Sequence, residues 1–379
     1  MDLSNNKVIG IQIGDLECDK EPNLGLDLKY PINDYLNSKD LIKKDNFISM
    51  TLEINKEDIN QKIYFLDNTC NENYVNGETQ EYNHDNLKEL NEVNTKLFIN
   101  DKEYKFEKYF VPKNTGNYKI ELYFNDIIKD CSFMFCDCEK IIDIDLSSFD
   151  TKNVTDMKFM FYGCQNINSL NLYSFNTKNV TDMSYMFFDC QNINNLNLSF
   201  FNTKNVAHMD YMFYKCRNLK ELNLSSFNTK NVTSMKSMFS CCKNLISLDL
   251  STFNTKKVTD MQNMFYNCSN MKSIDLTFIS TTKVTNMSYL FYKCENIKDL
   301  DLYSFTTENV INMNAMFGYC NNLENLDLYY FNTSKVTNMN NLFSNCERLK
   351  TVKIKKDFNQ NLIKELNKVS KNVRIEENQ

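Results

Sequence analysis

Tryptophan is absent from the 379 residues, and histidine (2), proline (3) and glycine (7) are scarce. Two imidazoles, on His84 and His208, leave almost nothing for a His-dependent hydrolase triad or a His-rich metal centre. So little glycine and proline excludes collagen-like chains and Gly/Ser linkers. The phosphate cradles G-x-x-x-x-G-K-S/T and G-x-G-x-x-G do not occur, nor does the nucleophile elbow G-x-S-x-G. Acidic residues outnumber basic ones, 49 against 43, so the formal net charge is −6 and nucleic acid is not an expected partner. No apolar run approaches the roughly 20 residues of a spanning helix, and membrane insertion is not expected. What is left is a folded chain, 42% hydrophobic and 24% charged, with no visible catalytic equipment.

The N-terminal stretch MDLSNNKVIGIQIGDLECDKEP has no basic n-region and no uninterrupted apolar core, and the final VRIEENQ carries no anchor motif. The expected location is cytoplasmic; the alternative is the cell surface, or secretion by a route without a visible signal peptide.

What is present is a period. Val154, Val180, Val206 and Val232 begin a series that repeats every 26 residues as far as Val336. Cysteines from Cys138 to Cys346 and phenylalanines from Phe135 to Phe343 keep the same beat. One unit, Asn153 to Lys178, reads NVTDMKFMFYGCQNINSLNLYSFNTK. Ile167-x-x-Leu170-x-Leu172 alternates as a short strand does. Val180-x-x-Met183-x-x-Met186-Phe187-x-x-Cys190 steps by three or four, as expected for a turn, 3₁₀ or short helical return. Such a unit is too short to bury its own apolar face, so neighbours must stack and each slot becomes a ladder. The expected fold is an α/β-type repeat solenoid of leucine-rich-repeat character. Its parallel sheet would be on the order of 40 Å long over nine units at strand spacing.

The ladder cysteines are expected to be small buried apolar residues. Successive side chains would point inward in parallel rather than at one another, and no C-x-x-C pair supports a metal. No cofactor is expected, and thiol-rich usage without a disulfide pattern suits a reducing compartment.

The unit N-V-T-x-M-x-x-M-F-x-x-C-x-x-L-x-x-L-x-L-x-x-F-x-T resembles the 26-residue repeat of the BspA-like leucine-rich-repeat family, a mycoplasma-type surface-protein repeat described as a domain of unknown function. Met183-x-x-Met186-Phe187-x-x-Cys190 and Ile193-x-x-Leu196-x-Leu198 carry the match. Leu290 and Leu342 replace Met, and Ile279 replaces Phe. The resemblance implies a solenoid for protein contact, a surface adhesin in some members, and supplies no catalytic residue.

Four segments are expected. Residues 1–45 are irregular, 46–126 form a small β-rich cap, 127–358 are the nine-unit solenoid, and 359–379 are a C-terminal cap. Strands are expected at Phe47–Ile54, Lys62–Asp67, Thr95–Ile99, Glu103–Phe106 and Tyr118–Phe124, with Asn100-Asp101 as a hairpin turn. Asn361 to Val369 reads as an amphipathic helix and VRIEE as a last edge strand. Lys350, Lys353, Lys355 and Lys356 would block that edge.

The expected function is a non-catalytic scaffold or adaptor for protein partners. The alternatives are a BspA-like surface or secreted adhesin, or a structural component of a larger assembly. The position between the two leucines turns uniformly acidic toward the C-terminus, and aromatics appear beside it. Asp275, Phe278, Asp299, Asp301, Tyr303, Asp327, Tyr329 and Tyr330 are the protein-binding candidates. Carboxylates with exposed aromatics suit a basic protein segment. Asn-x-Ser/Thr triplets at Asn153, Asn179, Asn197, Asn223 and Asn231 would place glycosylation acceptors on packed turns and strands on a secretory route.

Overall fold

The computed structural model describes residues 46–67, 73–75, 78–80, 87–355, 360–369 and 373–378. Segment 1–45, His84, Cys18, Cys70 and Lys356 lie outside the described residues.

The first described body is a five-stranded sheet. Its strands are β1 (Phe47–Ile54), β2 (Thr95–Ile99), β3 (Lys102–Tyr104), β4 (Gly116–Phe124) and β5 (Ile141–Asp145), in the order β3-β2-β4-β1-β5. β1 alternates as its sequence does, with Ile48, Met50, Leu52 and Ile54 inward. β2 and β3 join through Asn100 and Asp101, whose φ values of 47° and 64° give the primed turn that right-twisted strands require. Lys62–Asp67 is shorter than its sequence suggests, a strand only at Ile63–Tyr64, paired with Tyr109–Phe110.

β5 is also the strand of the first repeat. Ile144 fills the slot of Leu170, and β1 pairs antiparallel with β5, placing Met50 opposite Ile144. The open end of the solenoid is therefore covered by a paired strand.

From there each 26-residue turn sends Val, two Met, Phe, Cys and Leu inward, into one core that runs from Ile48 to Leu366. Stacked rings from Phe135 to Phe343 form an internal column with centroids 5.3–6.0 Å apart. The return segment corrects the α/β expectation, because it contains no helix. In the second unit the N–H groups of Met160, Tyr162 and Cys164 donate to carbonyls three residues back. Those of Met157, Phe159, Phe161 and Gly163 donate to Asp182, Ser184, Met186 and Phe188 of the next turn, at 2.8–3.0 Å. Consecutive tight turns thus mimic a helical step of three or four residues while stitching neighbours together.

Those turns need two left-handed residues per unit. They are Phe159 and Gly163 in one unit (φ 57° and 70°), Tyr185 and Asp189 in the next (60° and 57°). A non-glycine residue there costs about 1–2 kcal/mol, so the ladder bonds and the buried Met and Phe must outweigh it. Gly163 has a further reason: an added Cβ would lie 1.9 Å from Asp137 Oδ1.

The strand face is also less regular than the period implies. Leu-x-Leu strands are two or three residues long and pair in separate groups. Ser169–Leu170 joins Asn195–Leu196, and Ser247–Asp249 joins Ser273–Asp275. Asp299–Leu300 and Asn325–Asp327 continue into β6 (Thr351–Lys355) and β7 (Arg374–Asn378). Continuity resides instead in eight parallel bridges that link Asp130 through Asp156, Asp182 and His208 to Asn338. The protein is a β-solenoid with little helix. At its far end α1 (Gln360–Val369) buries Leu362 and Leu366. β7 covers the edge of β6 and places Glu376 beside Lys353, so a strand rather than lysines alone closes the ladder.

Candidate protein-binding surface

The residue between the two leucines has a local task. Oδ1 of Asp275, Asp301 and Asp327 accepts the backbone N–H of Thr277, Tyr303 and Tyr329, at 2.9–3.0 Å. Asn197 and Asn223 do the same for Ser199 and Ser225, at 3.0 Å. Asp and Asn are interchangeable in such a turn, and using that N–H ends the strand after two or three residues. At Asp249 the Ser251 bonds hold the carboxyl below its ordinary value. The acidic column is thus partly turn chemistry, with the charge left facing solvent.

All eight candidate residues are accessible. Phe278 is 63% exposed, Tyr303 71% and Tyr330 51%; Tyr329 is half-buried, and the four aspartates are exposed. Tyr303, Tyr329 and Tyr330 come together: the Tyr330 ring lies edge-on to Tyr303 at 4.9 Å and to Tyr329 at 5.1 Å. The neighbouring Tyr303 phenol pushes the Tyr330 hydroxyl up. Phe278 makes no ring contact among the described residues. Lys353 Nζ, 3.8 Å from Asp327 Oδ2, closes the acidic column from inside the chain. Asp299 opens its strand one residue before Leu300.

Three features escaped the sequence reading. Tyr173 and Phe200 are exposed in the same two slots near the N-terminal end, so aromatics occur at both ends of this edge, with Ser225, Ser226, Ser251 and Thr252 between them. Comparing each slot across every unit reveals them. Secondly, the threonines Thr151, Thr177, Thr203, Thr229 and Thr255 are buried, and each hydroxyl serves the next turn. Thr229 Oγ1 accepts the Asn254 N–H at 2.8 Å and donates to the Asn254 carbonyl at 3.2 Å. Their 26-residue recurrence after Phe-x was the signal. Thirdly, the left-handed positions carry a second aromatic column outside the core, Phe133, Phe159, Tyr185 and Tyr211, stacked at 4.4–4.7 Å. Tyr162, Phe188 and Tyr214 run beside it at 4.5 Å.

The ladder cysteines are buried free thiols. From Cys164 to Cys346 each S–H points at the carbonyl of the preceding turn's Phe, as from Cys190 to Phe161 at 3.0 Å. Burial pushes the thiols up, to about 12 at Cys294 and Cys346. His208 is exposed and contributes its backbone to the bridge column. Asn179, Asn197 and Asn223 are themselves exposed, while the middle residues of their triplets, Val180, Leu198 and Leu224, are buried in the turns.

A family model described as "Mycoplasma protein of unknown function, DUF285" matches residues 104–220, 129–247, 187–297 and 267–377. The chain belongs to this family. Its DUF285 repeats are those whose unit resembles the BspA-like leucine-rich repeat. A solved leucine rich cell surface protein from Faecalibacterium prausnitzii A2-165 is similar at 15% identity. The likeness covers 68% of this chain and 84% of that one, with a TM-score of 0.26. No curated protein matches this DUF285 chain. Among the described residues no helix is long and apolar enough to cross a membrane.

Proposed function

We propose that this DUF285 chain is a non-catalytic scaffold whose strand–turn edge holds a basic segment of a partner protein. The tyrosine cluster of Tyr303, Tyr329 and Tyr330 between Asp301 and Asp327 carries the reading. It joins large, nearly rigid contact area to two exposed carboxylates, Asp301 and Asp327, the second shared with Lys353 at 3.8 Å. Because the acidic column and the rings share the solenoid period, a partner segment meets the same pair of groups on successive turns. The same edge would serve a cytoplasmic adaptor or a surface adhesin.

The test follows from the turn chemistry. Asp→Asn keeps the acceptor for the backbone N–H, so D301N/Y303S/D327N/Y329S/Y330S should fold as the parent does. It should lose binding to a Lys/Arg-rich peptide, followed by tyrosine fluorescence at low salt. Parental affinity in that variant would move the site off this edge.

A further inference from the structure

A second outward slot carries charge of the opposite sign. Lys152, Lys178, Lys204, Lys230 and Lys256 occupy it in five successive turns, all exposed. The slot directly follows the buried threonine, so the lysine backbones are fixed at the ladder spacing, about 4.8 Å. Lys178 is pinned from both sides. Its N–H bonds to Asn176 Oδ1 at 3.2 Å, and its carbonyl accepts Asn205 Nδ2 at 2.8 Å. Lys204 repeats this with Asn202 and Asn231, at 3.2 and 2.9 Å.

Only the first rung is neutralised, by Asp150 at 2.7 Å from Lys152. Lys178, Lys204, Lys230 and Lys256 form no ion pair among the described residues, although the chain as a whole has a net charge of −6. In the turns of Lys178, Lys204 and Lys230 the slots on either side hold asparagine and no carboxylate; Lys256 lies between Asn254 and Lys257, whose Nζ donates to Asn231 Oδ1 at 2.9 Å. Asn176, Asn202 and Asn228 use Oδ1 in the turn and leave Nδ2 outward. Asn179 and Asn205 spend one Nδ2 hydrogen on a carbonyl and leave Oδ1. The result is a file of cations at ladder spacing, with amide donors along one side and, at Asn179 and Asn205, amide acceptors along the other.

We propose that this face binds a linear acidic polysaccharide. Carboxylates or sulfates would sit on the lysines and the sugar hydroxyls on the flanking amides. A nucleic-acid single strand would want aromatic platforms for its bases, and neither flanking slot has one in these turns. Inorganic polyphosphate would satisfy the lysines but has no hydroxyls for the amide columns. This site is separate from the acidic tyrosine edge, and neither depends on the other.

The experiment uses the full chain and labelled glycans in a fluorescence anisotropy titration at low salt. Polygalacturonate and heparin are the carboxylated and sulfated arms. Neutral dextran, polyphosphate and oligothymidylate are the comparisons. At least one acidic glycan should bind more tightly than the comparison polymers, with affinity falling as salt rises. K178Q/K204Q/K230Q should weaken it by at least about tenfold with an unchanged melting curve, as expected for losing three charge contacts to a polyanion. K243Q/K272Q/K298Q removes the same charge from other exposed slots and should leave the affinity within about twofold if contact geometry rather than net charge decides. Three results would overturn the proposal: no glycan binding by the parent, equal loss in both variants, or a comparison polymer binding as tightly as the better of the two glycans.

Discussion

Asp156 stands in the bridge column between Asp130 and Asp182, one turn from a carboxylate on each side. Burial raises its pKa from 3.8 to about 6, and the two neighbouring carboxylates push the same way against the Lys158 backbone bond. A carboxyl raised in the folded state binds its proton more tightly there than in the unfolded chain. Its contribution is therefore fully present below about pH 4 and lost as pH rises toward 6, leaving a penalty at neutral pH. Two pKa units correspond to about 3 kcal/mol, an upper figure. Asp156→Asn should remove that penalty. The amide keeps the turn, because Asn286, Asn312 and Asn338 fill the same slot and accept the N–H two residues on at 3.0–3.2 Å. The loss is a half-exposed contact to Lys158 at 3.8 Å, worth under about 1 kcal/mol. The variant should be about 1–3 kcal/mol more stable than the parent at pH 7.5, with the difference shrinking toward zero at pH 4. Urea midpoints of both proteins across that range measure it. A variant less stable at pH 7.5, or a gain of equal size at both ends, would refute the reasoning.

Thr229→Val should cost about 1–3 kcal/mol in urea, since the Asn254 N–H loses its acceptor against the fully buried side chain of residue 229, while Thr229→Ser should keep most of the stability. Gly163→Ala should lower the melting temperature more than an Ala placed at exposed Asn179, because φ is 70° and Asp137 occupies the space. In brief alkylation of the native protein read by mass spectrometry, partly exposed Cys241 should label well before its buried neighbour Cys242, and equal rates would contradict the inward ladder.

The chain's period made the inward slots legible without coordinates. Val180, Met183, Phe187, Cys190 and Leu198 are at most 1% exposed, each in the slot its 26-residue recurrence assigns. The hairpin at Asn100-Asp101 was also readable, because few residues tolerate two successive positive φ values. The candidate surface was half legible. Alternation shows that Asp301 and Tyr303 face outward, but not that Asp301 is occupied by a backbone N–H, nor that Tyr303, Tyr329 and Tyr330 meet.

What the sequence by itself determined is therefore the unit, its inside and its outside. Identical short segments cannot bury their apolar face except by stacking in register, so each slot has one neighbour type, itself. What only the tertiary structure decided is how each turn gets home. A spacing of three or four residues is compatible with a helix or with chained tight turns. The turns are chosen because alternate N–H groups find carbonyls in the adjacent turn, which are absent from an isolated unit. The unpaired lysine file has the same origin. Its charges are visible in the sequence, but their single row at ladder spacing exists only once the turns are stacked.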